Sequence, residues 1–486
     1  MRVLEETEPR EVFRFFEELT RIPRPSYHEE AVSSYLVKFA RDRGLEVHQD
    51  SLFNVIIIRE ASKGYENAEP IILQGHMDMV CEKDPGVKKD MEKEGLDLEV
   101  ADGYIRARGT TLGADDGIAI AYALALLDSK TIAHPRLEFV CTVSEEVGMD
   151  GARAIDLSPL KGHILLNLDS EEEGIVLAGC AGGGRADVTL PVTRGHCPWE
   201  RVQLHAGGLI GGHSGSEINK GRASSIFLLS RAFRSLAAVT GIRLISMENG
   251  TKDNAISRDG RAVLAVQDPE AFRGELTRIE REIQMEYRIA DPGIRLTAES
   301  PEQTGGVPLD ADPLDVQSTA AVIRLMSILP QGVRRMSDNV NGLVETSLNW
   351  GAASLGPDSF RMSAAVRSSV NTAKRALFCE LQWDAGTVGA SLRITGEYPA
   401  WEWVSHSALR DRMARIYREL FGRDLVIEAI HAGVECGLLS DKIPGMDAVS
   451  MGPDILDIHT PKERLSIASA GRTWEFLKRI IEDPGN

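Results

Sequence analysis

The chain has 486 residues, more than one hydrophobic core usually organises, and its 43% hydrophobic and 26% charged content is ordinary for a globular enzyme, so at least two domains are expected. A formal charge of −18 excludes a general nucleic-acid or anionic-membrane surface, because such partners need clustered positive charge; most of it reads as a solvated acidic surface. Six scattered cysteines without a CxxC pair, and an opening Met1 to Glu6 that lacks the basic-then-apolar order of a signal segment, point to a reducing cytoplasm and away from a thiolate zinc site. The longest apolar stretch, Ile118 to Leu127, is about half of a membrane span.

In chain order, helices are predicted over Glu11 to Thr20 and Glu29 to Arg43, then a strand over Asn54 to Arg59 and another from Pro70 into His76. A polar insertion from Glu82 to Glu99 precedes a helix at Gly117 to Leu127. Strands then run from Arg136 into Glu145 and from His163 into Asp169. Short apolar or β-branched runs interleaved with helices read as buried strands of a mainly parallel sheet, so residues 1–184 form the first part of an α/β domain. The segment Ala178 to Gly184 punctuates the chain.

After it the rhythm becomes strand-rich. A helix at Gly221 to Thr240 with strands at Ile242 to Met247 and Ala262 to Val266 resembles in order a helix at Pro313 to Leu329 with strands at Glu345 to Ala352 and Phe360 to Arg367. Residues 185–399 are therefore expected to be an inserted α+β lid domain, built as a doubled unit. From residue 400 a helix (Ser407 to Phe421), a strand (Leu425 to Ala429) and a final helix (Ser466 to Ile481) resume the first pattern. Residues 400–486 would complete the catalytic domain and bring His459 beside Asp115.

The acids stand at or just beyond strand ends, where open α/β sheets place their ligand crevice. His76 and Asp78 are two apart and point the same way on an extended strand end. His76 can bind a metal through one ring nitrogen while Asp78 fixes the other, although HxD alone is more often a loop histidine with a solvated aspartate. Asp115 and Asp116 precede an apolar helix in a glycine-flanked turn. Helix capping explains one of them, and a metal-bridging role would occupy the second. Glu145 and Glu146 are adjacent, so one can ligate a metal while the other moves protons.

Gly75-His76-Met77-Asp78, Leu112 to Gly117, Ser144 to Gly148, Leu168-Asp169 and His459-Thr460 resemble the five blocks of the M20 metallopeptidases. Gly211 to Gly215, Asp253 to Ile256, Leu343 to Asn349 and His431 to Gly437 resemble, more narrowly, the aminoacyl-histidine (Xaa-His, PepD-type) dipeptidase branch. The resemblance covers essentially the full length. It implies a di-metal peptidase with one ion held by His76, Asp115 and Asp169 and a second held by Asp115, Glu146 and His459. Glu145 would be the base for a metal-bridging water and Asp78 would orient His76. His213 would stabilise the oxyanion, in the same chain or across a homodimer. Asn254 and Arg367 look like substrate contacts, with Arg361 a competitor for the arginine's role, and Glu435 could meet the substrate ammonium. The paired acids imply a cis peptide between Asp115 and Asp116.

The oxygen and imidazole donor set suits zinc, with manganese and cobalt also fitting. The expected activity is hydrolysis of small peptides, dipeptides of the Xaa-His kind first, by a cytoplasmic enzyme. Two alternatives stand beside it: an N-acyl-amino-acid deacylase or other small-peptide aminopeptidase on the same scaffold, and a non-catalytic metal-binding or structural homologue. Glu145 argues against the last, since metal binding alone needs no free base.

Overall fold

The apolar runs that lead into His76, Glu145 and Asp169 form three adjacent parallel strands: Leu137–Thr142, Ile71–His76 in the middle, and Ile164–Asn167. Every residue of the first two is buried, as expected for strands covered on both faces. They are the centre of an eight-stranded sheet in the order Glu46–Gln49, Val55–Arg59, Leu137–Thr142, Ile71–His76, Ile164–Asn167, Asp447–Ser450, Ile175–Cys180, Val426–Ile430. The strand Asp447–Ser450 joins the parallel set through Ile164–Asn167, while its pairing with Ile175–Cys180 and those of Val55–Arg59 with Glu46–Gln49 and Leu137–Thr142 are antiparallel. This computed structural model describes residues 2–301, 307–308 and 310–483. It divides into a first unit of Met1–Gly179, Trp403–Ala429 and Val434–Asn486, and a second of Cys180–Glu402 and Ile430–Gly433.

In the first unit the helix Ala114–Asp128 is buried along its length down to Leu127, which its all-apolar surface requires. Phe13, Phe16 and Leu19 of the amphipathic helix Arg10–Leu19 join the same core. The ring of Tyr122 stacks on Trp474 from the closing helix Ile467–Glu482, with centroids 5.9 Å apart. The polar insertion after His76 ends in the strand Leu98–Ala101, which pairs with Tyr104–Ala107. That strand pairs in turn with Arg464–Ser466, and Ile455–Leu456 completes a four-stranded sheet. The turn carrying His459 is thereby tied to the chain entering Asp115.

The glycine-rich segment 178–184 reads as a break but runs instead through two strands, Ile175–Cys180 and Gly182–Pro191. Its glycines serve close approach: a Cβ on Gly182 would lie 2.4 Å from the Ala400 nitrogen, and one on Gly183 would lie 2.6 Å from the Tyr398 hydroxyl.

The second unit holds a nine-stranded sheet. Eight of its strands run in the order Arg295–Glu299, Glu200–Gly207, Gly260–Val266, Ile242–Asn249, Val344–Leu355, Ser359–Ser368, Gly182–Pro191, Ser391–Tyr398; the ninth, Gly332–Met336, pairs with Val344–Leu355. The order is symmetric about the central antiparallel pair Ile242–Asn249 and Val344–Leu355. Each half also supplies two helices: Ser225–Val239 and Pro269–Glu286 in one, Val316–Ile328 and Asn371–Gly386 in the other. One apolar core containing Phe233, Phe272, Trp350 and Phe360 spans both halves.

Candidate metal centre

Because the three parallel strands are neighbours, their carboxyl ends deliver His76, Glu145 with Glu146, and Asp169 to one place. Ser144 turns the chain there with φ of +53°, a left-handed conformation uncommon for a non-glycine residue. The buried Glu29 carboxylate accepts both its N–H and its hydroxyl at 2.9 Å. Asp78, fully buried, gathers the neighbouring backbone. Its oxygens accept the N–H groups of Glu145 (3.0 Å) and Glu146 (3.3 Å) and the Ser26 hydroxyl (2.8 Å), and Oδ1 lies 3.4 Å from His76 Nδ1.

His76 Nε2 stands 3.0 Å from Asp115 Oδ1 and 3.3 Å from Asp169 Oδ1. His459 Nε2 stands 3.1 Å from Asp115 Oδ2 and 3.0 Å from Glu146 Oε2. Asp115 thus turns one oxygen toward each imidazole. Asp116 is used differently, its Oδ2 accepting the His76 N–H at 3.1 Å, and the peptide between the two aspartates is cis. Neither aspartate caps the helix; the amides of residues 112–115 point at Glu463.

The electrostatics of this cluster are unbalanced. Burial, reinforced by Asp115 and Glu171, raises Asp169 to about 7 although His76 opposes it. Burial also holds Glu145 well above the usual carboxylate range, with Asp169, Glu435 and Glu146 adding to the effect. Hydrogen bonds to Asp115 and Glu146 raise His459 to about 10. Burial alone would lower His76, but Asp169, Asp115 and Asp78 together carry it well above its ordinary value. The carboxylates crowd so closely that they draw both imidazoles toward protonation; a coordinated divalent cation would supply that compensating charge instead. Two groups of donor atoms lie close enough to share an ion, His76 with Asp116 and Asp169 and His76 with Asp115 and Glu146, and their nitrogen and oxygen donors without thiolate fit hard to borderline divalent ions.

Strand alternation places a polar layer one step below the ligands. Gln74 precedes His76 by two, and Asn167 precedes Asp169 by two, so each shares its ligand's face. Asn167 donates to Gln74 Oε1 (2.5 Å), and Gln74 (2.5 Å) and Thr142 (2.6 Å) donate to Glu435 Oε2. Glu435 is fully buried, and burial raises it to about 7.

Three other sequence candidates lie in the second unit. His213 pairs with Ala255, and Ser214 donates its N–H to the Asn254 carbonyl at 2.9 Å, so the His213 loop and exposed Asn254 are adjacent. His213 Nδ1 accepts the N–H groups of Ser216 (3.2 Å) and Gly215 (3.3 Å). That hydrogen bonding assigns the ring proton of the neutral imidazole to Nε2. Burial, then Arg367, lowers its pKa and favours this neutral form. Arg367 bonds the Tyr398 hydroxyl at 3.3 Å and also repels His431, whereas Arg361 is exposed six residues earlier on the same strand.

Peptidase family M20/M25/M40 matches residues 72–483, most of the chain. This chain belongs to the M20 peptidases. Cytosol non-specific dipeptidase of Escherichia coli K12 is 35% identical to this M20 peptidase over 99% of both chains. The crystal structure of aminoacylhistidine dipeptidase from Vibrio alginolyticus superposes with a TM-score of 0.91 at 34% identity, covering 99% of this chain and 97% of that one. Aminopeptidase PepT from Bacillus cereus shares the fold at a TM-score of 0.57 and 18% identity, over 99% of this chain and all of that one.

Sequence reasoning passes over two buried ions beside this centre, Arg24 and Glu463. Glu463 carries one usable signal, its place four residues after His459. Arg24 carries none, because charged side chains are rarely fully buried.

Proposed function

We propose that this M20 peptidase is a cytoplasmic dipeptidase, acting on Xaa-His and other dipeptides with two divalent ions, zinc first and manganese or cobalt as alternatives. The observation that carries the reading is Asp115, whose two oxygens face two separate imidazole and carboxylate groups. His76, Asp115 and Asp169 would hold one ion, and Asp115, Glu146 and His459 the other. When bound, such ions polarise a carbonyl and lower the pKa of water toward neutrality.

The remaining work falls to the chain's own groups. Glu145, which burial holds above the usual carboxylate range, takes a proton from the attacking water and passes it to the leaving amine. Asp78 orients His76 and, through the two backbone N–H bonds, fixes where Glu145 and Glu146 stand. His213 has the N–H at Nε2 that an oxyanion donor needs. Arg367 is suited to a two-pronged grip on the substrate carboxylate, with Asn254 a second candidate contact. These three act on substrate if the second unit, from the same chain or from a partner in a homodimer, reaches the metal centre during turnover. Burial of Glu435 beneath Gln74 and Thr142 favours a supporting role over contact with the substrate ammonium.

The names of the Escherichia coli and Vibrio relatives support dipeptides as the substrate class, and the first supports a cytosolic setting. The test is a substrate panel on zinc-, manganese- and cobalt-loaded protein: Xaa-His dipeptides, other dipeptides, tripeptides and N-acyl amino acids. Turnover concentrated on dipeptides is expected. Hydrolysis confined to N-acyl amino acids would overturn the assignment.

A further inference from the structure

The segment Leu112 to Asp115 carries the shared carboxylate, and four of its N–H groups converge on one side chain. Glu463 Oε2 accepts from Leu112 (2.8 Å) and Gly113 (3.0 Å), and Oε1 from Ala114 (2.7 Å) and Asp115 (3.4 Å). Glu463 is 2% exposed and lies in the turn between Ile455–Leu456 and Arg464–Ser466, the turn that also presents His459. The same segment is gripped through its carbonyl by Arg24, 1% exposed. Its Nη2 donates to the Gly113 oxygen, and its Nη1 donates to the Met77 and Asp78 oxygens, each at 3.0 Å. A Cβ on Gly113 or Gly117 would lie 2.6 Å from Nη2 and would push the guanidinium out of this position.

Burying a cation and a carboxylate is costly, and apolar residues of similar volume often stabilise a fold as well or better. Stability therefore does not account for this pair. What the two side chains share is their partners: all the backbone groups just named belong to segments bearing His76, Asp78 or Asp115, and one of the ions is itself on the His459 turn.

We infer that Glu463 and Arg24 are positioning residues of the metal centre. Glu463 locks the Asp115 segment to the His459 turn and so sets the Asp115, Glu146 and His459 group. Arg24 locks it to the His76 to Asp78 segment and so sets the His76, Asp115 and Asp169 group. The inference rests on the proposed ligand assignment.

The test is stepwise titration of metal-free, full-length protein with Co²⁺, followed by calorimetry and the cobalt visible spectrum, with melting temperature recorded alongside. Wild type is expected to take two ions. Glu463→Gln keeps the side chain's size but turns an amide NH₂ toward N–H donors. It should weaken the site of Asp115, Glu146 and His459 by about tenfold or more, with an altered spectrum for that ion, and the other site, which shares only Asp115 with it, by less. Arg24→Lys keeps the cation but cannot span three carbonyls, and should weaken the opposite site by a similar factor. If Glu463→Gln does not fold, Arg24→Lys carries the test alone. Two unchanged affinities and an unchanged spectrum, whatever the melting temperature, would overturn the inference while leaving the ligand assignment standing. A wild-type chain that takes fewer than two ions would overturn both.

Discussion

His431 permits a test of the second unit that needs no metal. Its side chain is 7% exposed, and Nε2 lies 2.7 Å from the Ser347 hydroxyl. Burial first, then repulsion from Arg367, lowers its pKa to about 3. In the unfolded chain the value is about 6.5. Because the folded value is the lower one, the fold favours the neutral ring. The contribution is intact above about pH 6.5 and is lost as pH falls from there toward 3. At about pH 5 the unfolded chain binds nearly a full proton that the folded chain refuses, which costs wild type about 2 kcal/mol. His431→Asn removes this titration. Urea unfolding of the two proteins, followed by tryptophan fluorescence, should therefore show the stability difference moving by about 2 kcal/mol in the variant's favour between about pH 8 and pH 5. A difference that stays flat over that range would refute the buried neutral histidine.

Glu145→Gln should abolish turnover while metal content stays near wild type, whereas Glu146→Gln should lose metal as well; equal depletion in both would refute the division of labour between the two glutamates. His213→Ala should lower kcat by about a hundred- to a thousandfold, as loss of an oxyanion donor does, with metal content and circular dichroism unchanged. Glu435→Gln leaves a carboxamide facing the Gln74 and Thr142 donors and should cost about 1–3 kcal/mol of stability with little effect on KM. A large rise in KM without loss of stability would restore Glu435 as a substrate contact.

The parts of the centre on strand ends were the legible ones, for a physical reason. A buried parallel strand is a continuous apolar run, so a histidine or acid that ends it stands out, and adjacent strands bring such ends together. Burial without a local pattern is harder to read. Glu435 sits in a glycine-containing stretch that reads as an exposed turn, yet it begins the helix Glu435–Lys442 inside the core. Arg24 and Glu463 become visible only when distant backbone groups are placed around them. The helix Pro269–Glu286 is legible in the sequence: Asp268 caps it ahead of a proline, and Phe272, Leu276, Ile279 and Ile283 recur at helical spacing. Asn371–Gly386 offers no such cap, and its buried face includes Lys374 beside Leu377, Phe378 and Leu381, which blurs the helical pattern.

The central claim is that Asp115 joins two metal sites, and metal stoichiometry tests it most directly. Full-length protein loaded with excess zinc and then desalted should retain about two equivalents per chain, and Asp115→Ala should fall well below that. A firm ceiling of one equivalent, unchanged by Asp115→Ala, would contradict the account.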